Sequence, residues 1–127
     1  MTYPMVPGIS GASGSVTLPG HEKVVIVEPD ESVRRVLRLA LEWDGFEIQS
    51  EVAAPEEAVS DARSKEADFI VLDESLVSRD DAAMLRSEAP GSRLIAVCLF
   101  STVATEWADA AIPMSEIGEM GKVLRSL

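Results

Sequence analysis

The chain has 127 residues, enough for one domain with a core of its own, and 46% of them are apolar, which excludes wholesale disorder. A net charge of −11 repels nucleic-acid backbones and anionic membranes, so direct DNA binding is not expected. One cysteine excludes an internal disulfide, and a single His far from it argues against a zinc site.

The N-terminus lacks the basic start and apolar centre of a signal peptide, and no apolar run is long enough for a membrane span. A cytoplasmic protein is therefore expected. Residues 1–21 are dense in Gly, Pro and Ser, and the first twenty carry no Lys, Arg, Asp or Glu. They read as a flexible leader to a domain over residues 22–127.

Val24 to Val27 reads as the first strand, ending in Glu28. Asp30 is an N-cap for a helix from Glu31 to about Trp43, with Val33, Val36, Leu37, Ala40 and Leu41 on its buried face. Asp44-Gly45 stops it. Phe46 to Val52 alternates as a more exposed strand. Pro55 opens a second helix to about Lys65, Glu56 and Glu57 suit its positive end, and Ala58, Val59 and Ala62 face inward.

Phe69 to Leu72 is an unbroken apolar run, the pattern of a parallel strand covered on both faces, and it ends in Asp73. Ser78 with Asp81 forms a capping box for a third helix from Asp80 to Ser87, expected to bury Ala83, Met84 and Ser87. Leu94 to Phe100 is another covered strand. Ser101 to Asp109 holds at most two helical turns around Val103–Trp107, and Ala110 to Ile112 is a brief last strand. Ser115 is expected to cap a final helix with Ile117, Met120, Leu124 and Leu127 on its apolar face, weakened by Gly118 and Gly121. Alternating strands and helices imply an α/β domain, a parallel sheet with helices on both faces. Ligands of such sheets bind at the C-terminal strand edge, where Glu28 and Asp73 fall.

From Glu22 to Leu127 the chain resembles the receiver domain of two-component response regulators. Lys23-Val24-Val25-Ile26-Val27-Glu28-Pro29-Asp30 resembles that family's opening strand and acidic pair, and Asp68 to Asp73 its phosphoacceptor strand. The resemblance implies a flavodoxin-like, doubly wound, five-stranded parallel sheet of order 2-1-3-4-5. It also implies phosphoryl transfer from a histidine kinase to Asp73, with magnesium held by the acidic pair and the acceptor. In the family a hydroxyl after the fourth strand and a lysine after the fifth hold the phosphoryl oxygens. Movement of the hydroxyl and of an aromatic on the fifth strand then switches the face made by the fourth helix, fifth strand and fifth helix.

The sequence departs from this pattern at most supporting positions. Pro29 stands where the second acid belongs, Cys98 at the hydroxyl, Met114 at the lysine and Ala111 at the switch aromatic. Ser115 replaces the proline after the lysine, and the stretch for the fourth helix is shortened. Phosphoryl transfer depends on preorganised charge, so these losses imply a degenerate pseudo-receiver rather than an enzyme. Glu28 and Asp73 are weak metal ligands at most, and no cofactor is expected beyond magnesium if Asp73 is phosphorylated.

Each singled-out residue also has a plainer reading. Asp73 is then a carboxylate bonded to nearby backbone amides, Glu28 a solvated strand-end acid and Cys98 a buried structural thiol. Trp107 is either core or an anchor for a partner. The expected function is a signalling module acting through contact with a histidine kinase or a downstream signalling protein. A homodimer through the last strand and last helix is expected to accompany it. The rivals are an active phosphoacceptor using Asp73, and a small-ligand-binding flavodoxin-like domain, disfavoured because no glycine-rich phosphate loop follows the first strand.

Overall fold

The computed structural model describes residues 22–64, 66–98 and 106–127. Five strands are β1 (Lys23–Val27), β2 (Glu47–Val52), β3 (Phe69–Asp73), β4 (Arg93–Cys98) and β5 (Ala110–Pro113). Four α-helices are α1 (Glu31–Trp43), α2 (Pro55–Ser64), α3 (Arg79–Glu88) and α4 (Met120–Arg125). The strands form one sheet in the order β2-β1-β3-β4-β5, and every pairing is parallel. The order expected from the resemblance is thus observed. The expected leader, the last two residues of the expected Leu94–Phe100 strand and residues 101–105 of the shortened fourth-helix stretch lie outside the described residues.

The central strands read as covered apolar runs because both sheet faces carry helices. Val24 to Val27 and Phe69 to Asp73 are buried throughout. Alternate residues point to opposite faces. Val24, Ile26, Val71, Ile95 and Val97 join Leu37 and Leu41 of α1 and Met120 and Leu124 of α4. Val25, Val27, Ile70, Leu72 and Leu94 join Ala58 and Ala62 of α2 and Leu85 of α3.

Local signals set the helix ends. The Asp30 side chain accepts from the Ser32 and Val33 amides at 2.9 and 3.2 Å. Ser78 and Asp81 make both bonds of the capping box. Gly45 stops α1 with a positive φ of 92°, a conformation that glycine adopts without cost.

Three expectations are corrected. The buried line of α3 is Ala82 and Leu85, continued by Ala89, while Ala83 and Ser87 are exposed and Met84 is half-buried. The helix begins at Arg79, and its register sets the larger Leu85 against the sheet. Val36 does not face the core: it is 44% exposed, because Leu37 and Leu41 define the line toward the sheet and Val36 lies about 100° off Leu37. Ser115 caps nothing. It sits within a 3₁₀ segment, Met114–Glu119, whose N-cap is Pro113, and α4 begins only at Met120.

The last helix is clamped at its C-terminal end. Arg125 lies over the Phe46 ring at 4.4 Å from the centroid and donates to the Asp44 carbonyl. Phe46 meets Phe69 edge-on, with centroids 6.1 Å apart. The segment before β5 is tied to α3: Arg86 donates to the Trp107 carbonyl at 2.6 Å and pairs with Asp109 at 3.3 Å.

Candidate functional site

β1 and β3 are neighbours in register, Val27 opposite Leu72, so the residue following each pair falls at the same sheet edge. Those residues are Glu28 and Asp73, and both are buried, at 2% and 5% exposure. The plainer reading of Glu28 as a solvated acid is therefore corrected. The strand that carries it is covered on both sides, and its carboxyl follows the strand inward.

Each carboxylate is held by the backbone that follows it. Asp73 Oδ1 accepts from the Ser75 amide at 2.9 Å and from the Ser75 hydroxyl at 2.7 Å, capping a short 3₁₀ turn over Glu74–Leu76. Glu28 Oε2 accepts from the Asp30 amide at 2.9 Å. Glu28 Oε1 is buried with no hydrogen-bond partner among the described residues. Burial pushes the Glu28 carboxyl above its ordinary value. The Asp30 amide bond pulls it partly back, and the close side-chain contact with Asp73, followed by the charges of Asp73 and Asp30, pushes it up again.

Two residues at this edge were not singled out from the sequence. Ser75 supplies both bonds to Asp73. Arg34 donates through Nη1 to the Glu28 carbonyl at 3.0 Å and pairs through Nε with Glu51 at 3.3 Å. The Asp-x-Ser spacing at 73–75 is a legible turn signal of the kind that Asp30 gives at 30–32. Arg34 had no such signal, since its partners lie just after β1 and on β2.

None of the other predicted positions brings a positive charge to this edge. Pro29 is exposed, and the Asp30 side chain is turned to the start of α1. Cys98 is buried at the end of β4, opposite Pro113 of β5. Ala111 is half-buried and pairs with Ala96. Met114 packs against the core cluster shared by α1 and α4. Trp107 packs partly against the opposite cluster and borders a cleft of about 460 Å³ beside α3, lined also by Val77, Ala82 and Arg86.

This donor set falls short of a magnesium site. Magnesium takes near-octahedral oxygen ligands. Pro29 supplies no carboxylate, the Asp30 carboxylate is committed to helix capping, and Asp73 Oδ1 is committed to Ser75. Among the described residues no group of three or more His, Cys, Asp or Glu side chains is arranged to hold a metal ion. The orphaned Glu28 Oε1 leaves one acceptor over, which a proton satisfies as well as a cation does.

No protein-family model and no curated protein matches this sequence. Solved structures do match. The response regulator domain of Thermotoga maritima CheB superposes with a TM-score of 0.70 at 16% identity, covering 84% of this chain and 95% of that one. A LuxR-family DNA-binding response regulator from Staphylococcus aureus gives 0.70 at 17% identity, covering 83% and 97%. The signal receiver domain of a modulated diguanylate cyclase from Desulfovibrio desulfuricans G20 gives 0.56 at 25% identity, covering 64% and 67%. The fold of this chain is the receiver-domain fold of response regulators.

Proposed function

We propose that the chain is an atypical receiver-like signalling module that works through protein–protein contacts, without magnesium-dependent phosphorylation of Asp73. The observation that carries this reading is the state of the carboxylate edge. The Asp73 oxygen Oδ1 is engaged by Ser75, its buried neighbour is another acid, and proline, methionine and a thiol stand where a metal ligand, a lysine and a hydroxyl would neutralise a phosphoryl group. An incoming phosphoryl group carries further negative charge into a site that the Glu28 and Asp73 carboxyls already make acidic. The partner is a protein, either a histidine kinase or a downstream signalling protein.

Incubation with a small phosphodonor and magnesium, followed by intact-protein mass spectrometry, tests this. The expected result is no adduct. A phosphoryl adduct present in the wild type and lost in Asp73→Asn overturns the reading and supports the second one, an active phosphoacceptor. One observation favours that second reading: Asp73 still ends the central strand beside a second acid at the C-terminal edge.

A further inference from the structure

We infer that α1 is a self-association surface that pairs two copies of this chain antiparallel about a two-fold axis near Leu39. The inference rests on the reading that the chain acts by protein contact, and adds to that partner a contact with a second copy of this chain and the face that makes it. Among the described residues, four large apolar side chains are exposed, and three are on α1: Val36 at 44%, Leu39 at 55% and Trp43 at 91%. The expected surface on the last strand and helix offers no such patch. Met120 and Leu124 of α4 are buried, and Ile117, Val123 and Leu127 pack on the core.

Val36 and Trp43 are seven residues apart and so stand two turns apart on nearly one line, with Leu39 between them. A fully exposed tryptophan presents about 200 Å², so the three side chains together present roughly 400 Å² per copy. That equals the size of a functional apolar patch, about 300–600 Å². It is about half of the ~800 Å² per partner of a standard interface, which fits a weak, reversible pair rather than an obligate one.

Charge identifies the occupant. Arg35 and Glu42 each precede an apolar stripe residue, are exposed, and border the same side of the stripe. Neither has an ion-pair partner among the described residues, whereas Arg34 and Arg38 are tied to Glu51. In an antiparallel pair centred on Leu39, Val36 of one copy lies against Trp43 of the other. Arg35 then falls within about 1.5 Å of axial rise of the other copy's Glu42, and the two-fold repeats that ion pair. A stripe bordered by opposite charges near its two ends is self-complementary in this orientation. In a parallel two-fold pair the same residues fall on opposite sides of the seam, so Arg35 and Glu42 do not meet.

Sedimentation velocity and light scattering on the full chain, from about 10 μM to 1 mM, test this. The wild type is expected to move from monomer to dimer over that range. Leu39→Glu is expected to stay monomeric while keeping its circular dichroism and melting temperature. Arg35→Glu and Glu42→Arg are each expected to weaken association about tenfold, and the double reversal to restore it to within about twofold. The two single reversals change net charge in opposite directions. If Glu42→Arg strengthens association, or the double reversal fails to restore it, general repulsion governs and the proposal is overturned. A wild type monomeric to 1 mM also overturns it. In that case an indole N–H signal of Trp43 shielded independently of concentration assigns the stripe to the chain's own residues 1–21, and an exposed one leaves it to a different protein. The phosphorylation assay reads Asp73 and this one reads α1, so either reading can fail while the other stands.

Discussion

Glu28 is the residue whose chemistry is set most by its surroundings. The residue is 2% exposed, one carboxyl oxygen has no hydrogen-bond partner among the described residues, and Asp73 lies beside it. Its folded-state pKa is raised, so the folded protein binds this proton more tightly than the unfolded chain does. Linkage then gives the sign: the contribution is fully present below the unfolded value near 4.5 and is lost as pH rises through the folded value. Burying the ionised form of Glu28 therefore opposes folding. Glu28→Gln keeps an acceptor for the Asp30 amide and presents a donor toward Asp73. We expect it to stabilise the protein at pH 7 by about 1 kcal/mol, roughly 4 °C in melting temperature for a domain of this size. The gain should shrink as pH falls toward 4.5. Differential scanning calorimetry from pH 4 to 8 reads this, and a melting temperature lowered at pH 7 would mean that the charged carboxylate is needed.

At the scale of elements, the meeting of α4 with the end of α1 decides how the last helix sits. Gly121 in α4 is buried, and a Cβ there would collide with the Asp44 side chain. From sequence, Gly121 reads as a weak point in a helix. In the fold it is the residue that allows α4 to close on the α1–β2 turn. Arg125 then reaches the Asp44 carbonyl and the Phe46 ring. Gly121→Ala should therefore destabilise, by about 1–3 kcal/mol, despite alanine's better helix propensity. Urea denaturation measures it, and Asp44→Gly in the same chain, which removes the colliding Cβ as well as the carboxylate, is expected to recover most of the loss. If Gly121→Ala alone stabilises, the propensity gain wins and the contact is slack.

For the whole molecule, 22 acidic against 11 basic residues make self-repulsion a property of the fold. Of the ion pairs seen across elements, Arg63 with Glu88 and Arg79 with Glu106 are largely exposed and so contribute little. Screening should therefore relieve more repulsion than it removes attraction. We expect the melting temperature to rise by a few degrees when sodium chloride is raised from about 50 to 500 mM, where the Debye length falls well below 10 Å. A fall instead would give the exposed pairs the larger role.

How much of this could be read beforehand follows from the range of the interactions. Sequence alone settled the features whose causes lie within a few residues: the apolar runs of β1, β3 and β4, the Asp30 cap, the Ser78–Asp81 box, the stop at Gly45, and Asp73 at a strand end. Periodicity placed the face of α1 to within one residue, too coarse to see that Val36 turns outward. It placed the face of α3 one residue off. The tertiary structure alone decided the burial of Glu28, the grip of Arg34 on its carbonyl, the need for Gly121, and the exposure of Leu39 and Trp43. Those depend on which surfaces meet across the sheet, and a surface is buried or bare only once the chain has closed around it.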